Sequence, residues 1–274
     1  MGYTINAEEV HIGKYVTIED GVFIGDKFGK KAKKVVIGDG VTIGKNSRFY
    51  YPTLEIGDYT NINNHAFGSG DNSCKIGSCC WFGQNCILDA EGGLEIGNGV
   101  GVGAYSQLWS HIKFGDTLQG CRWDQKKKLT VEDDVWFVGH CIVSPITARK
   151  KSMAMVGAVI TKDMEENHVY AGTPAKDMTS IFGNQFEERS VDNKFDTMQE
   201  ELGKFKEAHP EFQNVNDHIK IIKNEKELEE KEGVSFFNVA DRTYSKTLSE
   251  IENSFMNFLL VQIKFYPRLS PQRN

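Results

Sequence analysis

No stretch of this 274-residue chain is apolar for long enough to span a bilayer. Its amino terminus also lacks the basic-then-apolar order of a secretory leader. The sequence therefore predicts a chain with no membrane span, placed in the cytoplasm. Basic residues are not in excess: the net charge is -6, which argues against a nucleic-acid partner, because phosphate binding needs a concentrated basic surface. The six cysteines never form a C-x-x-C unit. Spacing therefore gives no zinc site, and no metal is expected.

What the chain has instead is a period of six. Ile12, Ile18 and Ile24 are six apart, as are Ile37, Ile43 and Phe49; Ile56, Ile62 and Gly68; Ile76, Phe82 and Leu88; Ile96, Val102 and Leu108; and Val131, Phe137 and Val143. Four places after each anchor comes a small or β-branched residue, as at Val16, Val22, Val41, Cys80, Cys86, Val135 and Cys141. Six residues make one short flat strand and a corner, and three such strands make a triangular coil. Anchors then stack inside as apolar ladders, and the smaller positions fill the remaining interior. Cysteine in that phase behaves as a small hydrophobe; Cys74, Cys79 and Cys121 fall outside it. Extra residues follow only the third strand of a coil, after Ile24, Phe49, Gly68, Leu88 and Leu108, so one corner should carry every loop. Residues 1 to 11 read as a first incomplete coil.

Over roughly residues 10 to 180 the chain resembles the hexapeptide-repeat acyltransferases, nearest the galactoside, maltose and xenobiotic O-acetyltransferase branch. That resemblance implies a left-handed parallel β-helix, assembly as a homotrimer, and acetyl-coenzyme A as the acyl donor. Residues 1–179 form the β-helix domain in this reading, with a loop insertion at about 112–130. Residues 180–274 form a C-terminal, mostly α-helical extension.

His65, His111 and His140 each lie three places after an anchor, a phase that should point outward. Outward histidines serve either a zinc hydratase or an acyl transferase. The β-helix carbonic anhydrases carry a close His-x-x-x-x-His pair that is absent here. His111 is the candidate general base: it stands directly before the longest insertion, where the similar family has its catalytic histidine, in a cleft between subunits. An imidazole titrating near neutrality suits deprotonation of an acceptor. In the insertion, Phe114 and Trp123, with Trp109 just before it, are candidate acceptor contacts, able to stack on a sugar. Asn85, in Phe82-Gly83-Gln84-Asn85, matches the family's acceptor-contacting asparagine.

Val135-Trp136-Phe137-Val138-Gly139-His140 is similar to the family's Val-Trp-Ile-Gly segment, which places Trp136 beside the thioester. Tyr170-Ala171-Gly172-Thr173-Pro174-Ala175-Lys176 resembles its closing loop. Gly139, Ala158, Thr161, Lys162 and Lys176 are the further coenzyme candidates, with Arg149, Lys151 and His140 as outside candidates. Lys30, Lys31, Lys33 and Lys34 either attract an anionic ligand or solvate a loop.

In the extension, Phe195, Met198, Leu202 and Phe205 recur at helical spacing, and Val234–Val239 reads as a short strand. Ser249 and Glu252 read as a capping box opening a helix that Pro267 closes. The resemblance implies acetyl transfer to a hydroxyl of a sugar or cell-surface polysaccharide. Transfer to the nitrogen of an amino-sugar nucleotide is the near alternative, and a non-catalytic scaffold whose tail binds partners is the distant one.

Overall fold

The computed structural model describes residues 2–229 and 231–268. It divides into two compact units, Met1–Phe186 and Glu187–Asn274.

The first unit is a three-sided parallel β-helix. Its first face stacks strands such as Ala32–Ile37, Thr53–Ile56, Cys74–Ile76, Leu94–Ile96 and Leu129–Val131. The second face runs from Thr17–Ile18 through Trp81–Phe82 and Trp136–Phe137 to Val169–Gly172. The third runs from Thr4–Ile5 through Phe67–Ser69, Ile87–Asp89 and Gln107–Leu108 to Val159–Ile160. The period of six sets the register: Ile37 lies over Ile56, Ile76, Ile96 and Val131, and Ile43 over Ile62, Phe82, Val102 and Phe137. These ladders form one continuous apolar core. The first anchor is the exception, since Ile12 stays 44% exposed at the open end of the prism.

Corners are closed by the neighbouring coil. Asp58 Oδ1 accepts the Asp39 N–H at 2.7 Å, and Asp133 Oδ1 accepts that of Asn98 at 2.7 Å. A Cβ on Gly38 would come within 2.4 Å of the Asp58 carboxylate, which is why glycine follows the anchor there. The glycine anchor has a different cause. Gly68 lies between Phe49 and Leu88 on the third face, and the buried Tyr51 ring fills the space that its side chain would take, with the hydroxyl donating to the Leu88 carbonyl at 2.7 Å. Cys80, Cys86 and Cys141 are buried as their phase predicts, and Cys74 and Cys79 are buried as well. Burial pushes the Cys74 thiol up to about 12 and the Cys86 thiol to about 11.

The second unit holds the expected helix, Val191–Ala208, burying Met198, Leu202 and Phe205, together with a four-stranded sheet. The strand Ser235–Asn238 belongs to that sheet, paired with Ile219–Ile222. Ser249 caps Glu250–Leu259, accepting the Glu252 N–H. The Glu252 carboxylate does not complete the box. It is buried and accepts instead from Ser235 Oγ, Thr247 N and Thr247 Oγ1 at 2.5, 2.5 and 2.7 Å. Pro267 does not close this helix: the helix ends at Leu259, and Tyr266–Pro267 is a strand beside Thr243–Tyr244. Phe237 meets the rings of Phe255 and Phe265 edge-on, which anchors helix and terminal strand to the sheet.

Candidate active site

The chain leaves the prism after Leu108. It runs through Trp109 and Ser110 into an antiparallel hairpin, His111–Lys113 paired with Asp124–Lys126, at the edge between the third and first faces. This corrects the expected common phase of the three histidines. His65 and His140 are exposed corner residues between the second and third faces, with φ of 61° and 51°, and His140 stacks on Tyr105 at 5.0 Å. His111 belongs to the insertion, where the hexad no longer sets side-chain direction.

The His111 imidazole is 25% exposed, and its Nδ1 lies 2.9 Å from Oδ2 of Asp89. Asp89 ends the strand Ile87–Asp89 one coil earlier and is buried. The same oxygen accepts the Ser110 N–H at 2.7 Å and the Ser110 hydroxyl at 2.5 Å. An ionised carboxylate can only accept, so this contact gives Nδ1 the donor role and leaves Nε2 turned away from Asp89. A buried carboxylate is tolerated there because three donors replace its water. The Trp109 ring stands edge-on to the imidazole at 6.2 Å and donates Nε1–H to Gln107 at 3.1 Å. The carboxylate contact thus sets the plane of the imidazole beside an aromatic wall.

Asp89 is the member of this cluster that sequence reading missed. Its signal was the register: Leu88 pairs with Leu108, which sets the residue after each anchor, Asp89 and Trp109, side by side and brings Ser110 and His111 within reach.

Other candidates fall in separate places. Thr161 and Lys162 are exposed on the same edge as Trp109, two coils or about 10 Å further along. Phe114 and Trp123 are exposed in the hairpin loop, Trp123 at 63%. Asn85 is a half-buried corner residue with φ of 58°. It lies at the opposite end of the strand from Asp89, about 13 Å of extended chain away, so a single chain does not bring it to His111. Trp136, 44% exposed, is on the second face, and Lys176 is in a hairpin strand at that face's end. Gly139 is buried at the corner beside His140. Ala158 is buried: its methyl belongs to the core, and its N–H and carbonyl are bonded to Met155 and Ile142.

Arg149 is exposed near Glu165, and Lys151 lies over the Phe186 ring at 5.8 Å. In the lysine-rich insertion, Lys33 and Lys34 are part of the strand Ala32–Ile37, and Lys34 lies 3.8 Å from Glu9. A second carboxylate–imidazole pair, His168 Nδ1 to Asp177 at 2.6 Å, closes the end of the prism. Asp177 also accepts both donors of Thr179, which with His168 holds its carboxyl down to about 2. Among the described residues, no group of three or more His, Cys, Asp and Glu is placed to hold a metal ion, and no helix is long and apolar enough to cross a membrane.

The parallel β-helix is the fold that the sequence resemblance implies. The chain matches no family model. Solved structures similar to it include a hexapeptide-repeat-containing acetyltransferase from Vibrio cholerae O1 biovar eltor complexed with acetyl coenzyme A, 19% identical over 52% of this chain and 68% of that one, TM-score 0.36. An N-acyltransferase from Bacillus cereus, in complex with dTDP-4-amino-4,6-dideoxyglucose and coenzyme A, is 14% identical over 71% of this chain and 92% of that one, TM-score 0.40. The polysialic acid O-acetyltransferase OatWY is 17% identical over 66% of this chain and 92% of that one, TM-score 0.40. These neighbours are acyltransferases; at such identities and TM-scores none of their activities transfers to this chain.

Proposed function

We propose that this protein is an acetyl-coenzyme A-dependent O-acetyltransferase acting on a hydroxyl of a sugar or cell-surface polysaccharide. The observation that carries the reading is the Asp89–His111 pair, Nδ1 to Oδ2 at 2.9 Å, which turns Nε2 away from the carboxylate. The acceptor class follows the polysialic acid O-acetyltransferase among the similar structures, and the donor follows the acetyltransferase complexed with acetyl coenzyme A.

In this mechanism Asp89 fixes the tautomer and ring plane of His111 and stabilises the imidazolium as it forms. His111 Nε2 takes the hydroxyl proton while the acceptor oxygen bonds to the thioester carbonyl carbon. The carbon–sulfur bond then breaks, and the imidazolium returns its proton to the departing thiolate. General-base catalysis of this kind contributes about 10²–10⁴-fold. No covalent acyl-enzyme is needed.

Thr161 and Lys162 suit an anionic pantetheine-linked donor, because their edge position follows the prism away from His111. Trp136 and Lys176 occupy a different face, so a single chain presents the two halves of a donor groove apart. A homotrimer that sets the edge of one chain against the second face of another would unite them; the exposed Phe114, Leu118 and Trp123 of the hairpin loop are the apolar surface available for such a contact. Asn85 would then orient the acceptor from a neighbouring chain. We place the enzyme in the cytoplasm, where acetyl-coenzyme A is made. The same base would serve an amino-sugar nitrogen, the acceptor class named for the Bacillus cereus neighbour.

Calorimetric titration with acetyl-coenzyme A tests the donor assignment, and thiol release across a panel of sugars and amino sugars tests the acceptor. An enzyme binds the donor and releases thiol with a hydroxyl acceptor. A chain that binds no donor is a scaffold.

A further inference from the structure

The hairpin that carries His111 is short. Three residue pairs join its strands, His111 with Lys126, Ile112 with Gln125 and Lys113 with Asp124, and below them Lys127 donates its N–H to the Ser110 carbonyl at 3.0 Å; a two-stranded hairpin of that length is not stable on its own. Its base must therefore be held from outside.

Two features hold it. Beneath the base, Gly92 donates its N–H to Ser110 Oγ at 2.9 Å, and a Cβ there would come within 2.4 to 2.6 Å of the Ser110 carbonyl and the Lys127 backbone. The hairpin is seated on bare backbone. Beside the base, Lys126 Nζ lies 3.0 Å from both Asp71 Oδ2 and Glu91 Oε2. Lys27 contacts the same two carboxylates from the first insertion, at 3.1 Å to Asp71 and in a short contact to Glu91. Two lysines and two carboxylates, drawn from loops of four different coils, close a ring of contacts in which the charges alternate. The Glu91 carboxylate is only 14% exposed and the Lys27 amine 22%. Partial burial weakens solvent screening, so this cluster stands above the isolated surface ion pair in worth. The two lysines also hold the Asp71 carboxyl below its usual range.

We infer that Lys126 is a positioning residue: by clamping its strand to Glu91 and Asp71, it holds the opposite strand, in direct register, where His111 reaches Asp89. The inference rests on the reading of His111 as a base, but its geometry does not need a substrate to be observed. Lys126 touches no reacting atom. It acts on the imidazole through the hairpin backbone.

The test is the solvent-exchange rate of the His111 Nδ1 proton, followed by NMR in the full chain labelled with 15N-histidine. In Lys126→Gln that proton exchanges about tenfold faster than in the wild type, because the hairpin opens more often. Lys126→Arg restores the slow rate. Lys113→Gln, which removes an exposed pair with Asp124 further along the hairpin, leaves it unchanged. Raising sodium chloride to about 0.5 M accelerates exchange in the wild type itself, which makes the test independent of any variant's folding. Exchange in Lys126→Gln equal to wild type overturns the clamp while leaving the Asp89–His111 pair intact. Absence of a protected Nδ1 proton in the wild type overturns the pair and with it the clamp. Failure to find an acceptor changes neither result.

Discussion

At the scale of single residues, a carboxylate and an imidazole do different work. In the proposed mechanism Asp89 contributes charge and orientation, and His111 contributes the lone pair. Asp89→Asn keeps a side chain of the same shape but removes the charge that stabilises an imidazolium, so turnover should fall about 10–100-fold with donor affinity unchanged, read as kcat against KM. The thiols give a second residue-level expectation. Burial keeps Cys74 and Cys86 protonated in the fold to about 12 and about 11, whereas an unfolded thiol ionises near 9.0. Their raised folded-state values add stability below pH 9 that is lost as pH rises beyond it. Each should cost about 1 kcal/mol by about pH 10, measured as a lower guanidinium midpoint than at pH 8. Alkylation at pH 8 should label Cys121 first, the one cysteine that is not buried. His111 was legible in the sequence because it abuts the longest insertion. Asp89 was not, because its partners lie one coil away and only the register of the stacked strands brings them together.

At the scale of elements, the hexad specified each strand, its face and its corner, since a period-six ladder has only one way to bury every anchor. Even its apparent lapse at Gly68 is packing: Tyr51 supplies the missing volume. Gly68→Ala should therefore lower stability by about 1–3 kcal/mol, as overpacking does. Tyr51→Phe in the same chain should recover part of that loss, because the added methyl would meet the Tyr51 hydroxyl at 1.9 Å. Denaturation of the two single variants and the double variant checks this, and additive losses would contradict it. Where the hexad stopped, side-chain direction stopped being readable. The phase that predicted outward histidines treated His111 as part of a coil, although the hairpin begins there. The same limit applied to the extension: Pro267 looked like a helix stop, while strand pairing with Thr243–Tyr244 claims Tyr266–Pro267.

At the scale of the whole molecule, the β-helix carries its own core, and the unit boundary falls at Phe186, beyond the expected 179. The reason is visible in the bonds: Gln185 Nε2 donates to the Asp134 carbonyl at 3.0 Å, and Asn167 contacts the Phe186 backbone at 2.8 and 2.9 Å. A chain ending at Phe186 should unfold cooperatively near the full-length temperature, whereas one ending at Thr179 should melt lower by a few degrees, measured by calorimetry. If the donor groove is completed between chains, the full-length protein should have three times the chain mass by light scattering. The account depends most on the edge histidine, and thiol release from acetyl-coenzyme A in the presence of an accepted sugar tests it directly. His111→Ala should keep donor affinity while losing turnover by at least about 100-fold, and should melt lower by a few degrees because the buried Asp89 loses one of its three donors; wild-type turnover in that variant would contradict the account.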